Sequence, residues 1–356
     1  MGKLNEKMKT EDINKDEHKM GIGVAGNIIA DIVKNITEYP KPGMLTYVSD
    51  VTLSVGGCVP NTAINLAVID GSIPLSVYGK IGADENGRYI IAQMQKHRID
   101  TKNVLCAADS LTSFCDVMSI PSGERTFFHK KGANAEFSPT DIDITALNCK
   151  LFHIGYILLL DQFDKPDPEF GTVMGRFLCD VQKRGIQTSI DVVSDSFADY
   201  EKMIVPALRY CNYVIINEIE CCKIWGLDPR TQDGHLNRTN IHQAMRKTAE
   251  AGVQNMVIVH CKETAFLLNV HSEMITEVSS LKIPKEEIRG SVGAGDAFCA
   301  GSLYGIYNAF KDQQILEFAS AAAACSLFAA NAVDGMKARD EIFSMLDKYG
   351  RLSLEA

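Results

Sequence analysis

Short apolar segments recur through the second half of the chain, at 151–160, 188–193, 213–216 and 256–260, with helical patterns between them near 170–184, 200–208 and 239–251. The segments are mostly β-branched or aliphatic and bounded like strands. A strand that is apolar at nearly every position has no side to turn to water, so both of its faces must be covered. Strands alternating with helices meet that demand through right-handed β-α-β units, which build a mostly parallel sheet with helices on both sides. No internal repeat or linker divides the 356 residues, and a hydrophobic share of 46% is ample for the core of one α/β domain.

The first half is less regular. Residues 1–19 alternate lysines with acids and carry few apolar side chains, so they are expected to form a disordered tail. The run Gly21-Ile-Gly-Val-Ala-Gly26-Asn27-Ile-Ile-Ala-Asp31 is expected to be the first buried strand. Gly21, Gly23 and Gly26 match G-x-G-x-x-G literally, but that fingerprint must follow a strand and open a helix. Here a polar tail precedes it and the motif lies inside the strand, so a dinucleotide role is rejected. Further strands and helices are expected at 48–55, 62–69 and 87–98, and a hairpin at 113–129 turning at 121–123. From Ala297 onward the pattern is helical and includes the small-residue run 319–325, which allows a close helix approach.

A formal charge of −9 argues against a nucleic-acid or anionic-membrane surface, and a small-molecule partner fits better. The eleven cysteines show no metal-ligand spacing; their odd number and the lack of a leader point to a reducing cytoplasm. No apolar run approaches the roughly 18 residues of a membrane span.

The chemistry concentrates in Arg289-Gly-Ser-Val-Gly293-Ala294-Gly295-Asp296-Ala-Phe-Cys-Ala-Gly301. A turn of such small residues leaves backbone N–H groups free to point at an anion, and the helix that it opens adds its partial positive charge. That describes a phosphate site. A carboxylate beside a phosphate is repulsive unless it has a task, and the task expected of Asp296 is to take a proton from a substrate hydroxyl while the amides of Gly293, Ala294 and Gly295 hold the transferring phosphoryl group. The competing reading is a helix entered through a glycine turn, with Asp296 serving only the first-turn dipole. No G-x-x-x-x-G-K-[ST] occurs, so this is not a P-loop.

Five motifs in order resemble the ribokinase-like (PfkB) family of carbohydrate and nucleoside kinases, over nearly the whole chain after residue 20. They are Gly26-Asn27 with Asp31; Gly56-Gly57 with Asn61; Gly132-Ala-Asn134-Ala before Ser138-Pro139; Asn217-Glu218-Ile-Glu220; and Gly293-Ala-Gly-Asp296. The resemblance implies a three-layer α/β/α domain over 20–350 with its site outside the carboxyl ends of the sheet, and a small β lid from about 33–58 and 111–134. It implies an ATP-dependent sugar kinase in which Asn27, Asp31, Gly56, Gly57, Asn61 and Asn134 bind the sugar and Asp296 is the base. Asn217 and Glu220 would serve the nucleotide, with Glu220 holding Mg²⁺ through water, and the lid would pair two subunits.

The chain departs from the family in three places. Gly290-Ser291-Val292 stands where many members carry Asp-Thr-Thr, which puts potassium dependence in doubt. The turn at 260–265 lacks the usual glycine, leaving Lys262 as a candidate phosphate contact, and Ser320 stands where an asparagine often meets the purine. Arg125 in the hairpin could grip a phosphate or carboxylate in a bidentate way, which would favour an acidic or phosphorylated sugar. Two alternatives remain: a nucleoside kinase using Phe114, Phe127 or Phe128 against the base, and a catalytically silent sugar-binding protein, which would have no use for the carboxylate in Gly-Ala-Gly-Asp.

Overall fold

Tyr213 and Ile215 pack into one hydrophobic cluster, and Val214 and Ile216 into another on the opposite side of the same strand. The neighbouring strand repeats the division, with Ile258 on the first side and Val257 and Val259 on the second. Side chains alternate across a strand with period two, so a sheet buried on both faces needs the unbroken apolar runs seen in the sequence.

The computed structural model describes residues 19–122, 124–194 and 199–353, so the tail expected at 1–19 lies, apart from Lys19, outside the described residues. The first half holds β1 (Ile22–Gly26), β2 (Ile29–Ile36), β3 (Val48–Gly56), α1 (Cys58–Ile69), β4 (Leu75–Gly82), α2 (Glu85–Lys96), β5 (Val104–Ala107), β6 (Ser113–Ser119), β7 (Arg125–Lys130) and β8 (Leu151–Ile157). After the two-residue strands β9 (Pro166–Asp167) and β10 (Gly171–Thr172) come α3 (Val173–Gln182), β11 (Gln187–Val192), α4 (Tyr200–Leu208), β12 (Tyr213–Asn217), α5 (Glu218–Ile224) and α6 (Arg238–Glu250). The chain continues with β13 (Met256–His260), β14 (Thr264–Asn269), β15 (Ile275–Ser279), α7 (Ala294–Tyr307), α8 (Asp312–Ser326) and α9 (Arg339–Lys348).

Nine strands form the main sheet in the order β15-β14-β13-β12-β11-β8-β1-β4-β5. From β13 to β5 every neighbouring pair is parallel, while β14 and β15 close one edge antiparallel. Helices α1, α2, α7, α8 and α9 cover one face and α3 to α6 the other, which makes three layers. The chain proceeds outward from β1 in both directions, through β4 and β5 on one side and β8 to β13 on the other. The crevice between β1 and β8 is therefore a topological switch point, where open α/β sheets bind ligands at their carboxyl ends. Among the described residues no helix is long and apolar enough to cross a membrane.

The run 21–31, expected as one strand, is broken in two. Asn134 accepts a hydrogen bond from the Ile28 N–H (3.2 Å) and donates one to the Ile28 carbonyl (3.1 Å), fixing the chain as it leaves the main sheet. Past this point the chain enters β2, one of the two inner strands of a separate four-stranded sheet in the order β3-β2-β6-β7. Here β2 and β6 run parallel and the outer pairs antiparallel.

Candidate active site

Gly293 enters α7 with φ of 76°, in the left-handed region, and a Cβ there would lie 2.3 Å from the Ala332 Cβ. Segment 327–332 thus lies across the turn, tied down by the Arg289 N–H donating to the Leu327 carbonyl at 2.7 Å. Only glycine meets both demands.

One turn into α7, Asp296 is 7% exposed. Asn61 of α1 donates from Nδ2 to its Oδ2 at 2.9 Å, and the Tyr156 hydroxyl donates to Oδ1 and Oδ2 at 3.0 and 3.2 Å. Burial, and after it the negative charge of Asp191, pushes the Asp296 carboxyl up to about 7, while the bonds from Asn61 and Tyr156 restrain the rise. A carboxyl so placed is half ionised near neutral pH, the condition that suits a general base. Tyr156, near the end of β8, has φ of 61°, a conformation that a bulky residue adopts only when its surroundings enforce it, and its N–H donates to the Asp191 carboxylate.

A cavity of about 310 Å³ opens beside these groups, lined by Tyr156, Asp191, Asn217, Glu220, His260 and the 293–296 turn. Every one of these residues stands at the carboxyl end of a parallel strand or at a helix N-terminus. Asn217 and Glu220 form a reciprocal cap on α5: Asn217 Oδ1 accepts from the Glu220 N–H at 2.8 Å, and Glu220 Oε2 from the Asn217 N–H at 3.0 Å. Ser194 donates to Glu220 Oε1 at 2.9 Å. Burial raises Glu220 to about 8 against those bonds, and the charge of Asp191 adds to the rise. His260, pushed down to about 4 by burial, is a neutral imidazole whose ring packs 4.8 Å from that of Phe298. Among the described residues, none of Asp191, Glu220 and Asp296 forms an ion pair with lysine or arginine. Three carboxyl groups around one cavity without a cationic side chain make a donor set that fits a divalent cation.

On the other side of Asp296 lie groups suited to a sugar. Asn27 is wholly buried and neither amide atom has a partner, and Asn61 Oδ1 is likewise unpaired. Unsatisfied buried amides cost about 1–3 kcal/mol each, a cost that substrate hydroxyls would remove. Asp31 of β2 is raised to about 7 by burial, and its charge contributes to the rise of Asp296. A Cβ on Gly56 would fall 2.2 Å from Asp31 Oδ2, so the first glycine of the pair makes room for this carboxyl. Gly57 precedes α1 and carries the chain past Asn27.

Other sequence candidates are placed differently. Asn134 bonds the Ile28 backbone through both amide atoms, a structural task. In the sheet ladder Asp31 pairs with Cys115 and Cys115 with His129, whereas Arg125 stands at the hairpin end of β7 opposite Ser119. Those four residues along the strand amount to about 13 Å, so Arg125 stands well along β7 from the row that holds Asp31, Cys115 and His129. Lys262 is exposed in the β13–β14 turn, and the cavity wall there is His260. Ser320 is buried within α8 and does not line the cavity.

Sequence reasoning does not single out Tyr156, Asp191 or His260. A trace exists for two of them: 151–160 is too long for one strand and contains Gly155-Tyr156, and Asp191 is a charge near the end of an otherwise apolar segment.

The family model described as pfkB family carbohydrate kinase matches residues 22–339. The chain belongs to the pfkB family of carbohydrate kinases. It is 22% identical to the 2-dehydro-3-deoxygluconokinase of Dickeya dadantii over 72% of this chain and 81% of that protein. Identity to the 5-dehydro-2-deoxygluconokinase of Geobacillus kaustophilus is 23%, over 91% and 92%. Among solved structures, Arabidopsis thaliana ribokinase complexed with ribose and ATP superposes with a TM-score of 0.76 at 21% identity, covering 92% of this chain and 99% of that one. An Escherichia coli ribokinase II-type structure with ATP and Mg²⁺ gives 0.73 at 16% identity, covering 92% and 99%. The protein is accordingly a sugar kinase with a ribokinase fold, a phosphotransferase whose acceptor is an alcohol group.

Proposed function

We propose that this pfkB-family kinase transfers the γ-phosphoryl group of ATP to a hydroxyl of a small sugar or sugar acid, with Asp296 as general base and the amides of Gly293, Ala294 and Gly295 as the anion hole. The observation that carries the reading is the setting of Asp296: a buried carboxyl raised to about 7 at the first turn of a helix entered through a left-handed glycine, held by Asn61 and Tyr156. Asn27, Asp31 and Asn61 orient the acceptor so that one hydroxyl faces Asp296, which takes its proton. The glycine-turn amides keep the transferring group in line, and the neutral His260 borders the same cavity without adding charge. Glu220, oriented by its cap on Asn217, would hold Mg²⁺ through water. When bound, that ion offsets the charge of the nucleotide phosphates.

The four-stranded sheet acts as the lid, excluding water from the phosphoryl group. The face away from Asp31 exposes Val51 and Phe128, the β2–β3 connection exposes Leu45 and Tyr47, and we assign a homodimer contact to these residues. Phe127 is exposed on the face that carries Asp31, the one feature that favours a nucleoside acceptor.

The test is ADP release from ATP and Mg²⁺ across pentoses, hexoses, keto-deoxy sugar acids and nucleosides, with and without K⁺. Release with one class, lowered at least about 10²-fold by Asp296→Asn while nucleotide binding persists, is expected. An Asp296→Asn enzyme with near wild-type kcat would remove Asp296 from its role.

A further inference from the structure

Behind the phosphate cavity a second group of side chains converges that the transfer reaction does not use as a unit. His153 of β8 is fully buried. Its Nε2 lies 3.4 Å from Asp191 Oδ2 and 3.6 Å from Cys299 Sγ of α7, and one ligand atom from each residue lies within 4.8 Å of the others. We propose that His153, Asp191 and Cys299 form a binding site for a thiophilic divalent cation of the Zn²⁺ class, separate from the hydrated Mg²⁺ that accompanies a nucleotide.

Three observations support the assignment. The first is spacing. Zinc bonds of about 2.0 Å to nitrogen and oxygen and about 2.3 Å to sulfur give tetrahedral edges of about 3.3 Å between N and O and about 3.5 Å between N and S. The distances of 3.4 and 3.6 Å match those edges.

The second is the surroundings of the imidazole. Nδ1 lies 3.1 Å from Ser189 Oγ, within reach of a hydrogen bond; in the tautomer that donates from Nδ1 to that hydroxyl, Nε2 presents its lone pair to the ion. Such an outer partner is what fixes the ring of a metal-bound histidine.

The third is access and charge. Asp191 and Cys299 line the cavity, which gives an entry path, while His153 is fully buried behind them. A carboxylate and a thiolate balance the two charges of the ion, and among the described residues Asp191 has no lysine or arginine partner. The mixed N, O and S donors discriminate against Mg²⁺, which demands a shell of oxygens.

The experiment uses the full chain, reduced and stripped with EDTA, titrated with Co²⁺ alone. Expected is one equivalent bound with a near-ultraviolet thiolate-to-cobalt band and the visible bands of tetrahedral cobalt, all displaced by Zn²⁺ and not by excess Mg²⁺. Cys299→Ser should abolish the thiolate band and His153→Gln should weaken binding at least about tenfold, while Cys222→Ser leaves both unchanged. Zinc-edge X-ray absorption on the wild-type protein gives an answer that does not depend on the folding of any variant: one sulfur among nitrogen and oxygen neighbours is expected, and none or two overturns the assignment. Absence of a thiolate band, or its survival in a folded Cys299→Ser, also overturns it. None of these readings depends on the acceptor or on phosphoryl transfer, so the site and the proposed reaction stand or fall separately.

Discussion

Removing one oxygen, by Tyr156→Phe, isolates the part of the site that sets the ionisation of the proposed base. The phenol donates to both oxygens of Asp296, and no other described side chain except Asn61 donates to that carboxyl. A hydrogen bond to a charged acceptor is worth about 1.5–3 kcal/mol, and one pKa unit corresponds to about 1.4 kcal/mol. Losing the bond should therefore carry Asp296 about one to two units above its value of about 7. At pH 7 the ionised fraction would fall from about half to between about 1% and 10%, so kcat/KM should drop roughly 5- to 50-fold. Near pH 9.5 the variant should return to within about twofold of wild type, because both carboxyls are then ionised. Initial rates of ADP release at low acceptor, measured from pH 5.5 to 9.5, read this directly. A variant whose profile runs parallel to wild type at a constant reduction would mean that the phenol positions substrate and does not tune the base, and an unchanged profile would remove Tyr156 from the mechanism.

Two asparagines should part company. Asn134→Ala strands the buried Ile28 N–H and carbonyl, at about 1–3 kcal/mol for each group, so its thermal midpoint should fall by several degrees; Asn27→Ala removes atoms that have no partner and should leave the midpoint unchanged while raising the acceptor KM at least about tenfold. Equal midpoints for the two variants would refute the division. Asp31 and Asp296, each raised from 3.8 to about 7, and Glu220, raised from 4.5 to about 8, keep their protons in the fold at pH values where the unfolded chain has released them. Stability should therefore fall as pH rises through roughly 4 to 8, and calorimetry of the unliganded protein showing a flat or rising midpoint across that window would count against it. If the lid surface pairs two subunits, Leu45→Lys with Tyr47→Lys should shift sedimentation from dimer to monomer; a monomeric wild-type protein would end that assignment.

The layers of the fold are legible because they obey a local rule. A strand such as β12 is apolar at both parities, and that alone requires helices on both faces. The break at Asn27 and Ile28 is not legible, because it depends on Asn134, more than a hundred residues away, taking over the backbone bonds of Ile28. The edge strands β14 and β15 are equally unmarked: their antiparallel return carries no crossover helix to punctuate it. At the site, Asp296 and Asn61 can be singled out since glycine turns leave a sequence pattern, and the structure joins them at 2.9 Å. Tyr156 and Asp191 come from the ends of two neighbouring strands and look like ordinary strand residues until the parallel register of β8 and β11 sets them side by side.

That register also explains why the charges are arranged as they are. Parallel strands deliver their carboxyl ends to one edge, so any acid placed there, Asp191 from β11 or Glu220 just after β12, joins Asp296 around a single cavity. Repulsion among them is visible in the rise of Asp296 and Glu220, to which Asp191 contributes in both cases. A lysine at one of these positions would relieve the repulsion and stabilise the fold, but it would also lower the base strength that burial confers on Asp296 and occupy the space that a phosphate and its cation need. The fold tolerates the cluster because, near neutral pH, Glu220 is mostly protonated and Asp296 about half so, and a cation bound there would favour release of those protons. On the proposed mechanism, metal binding and activation of the base would be one electrostatic event.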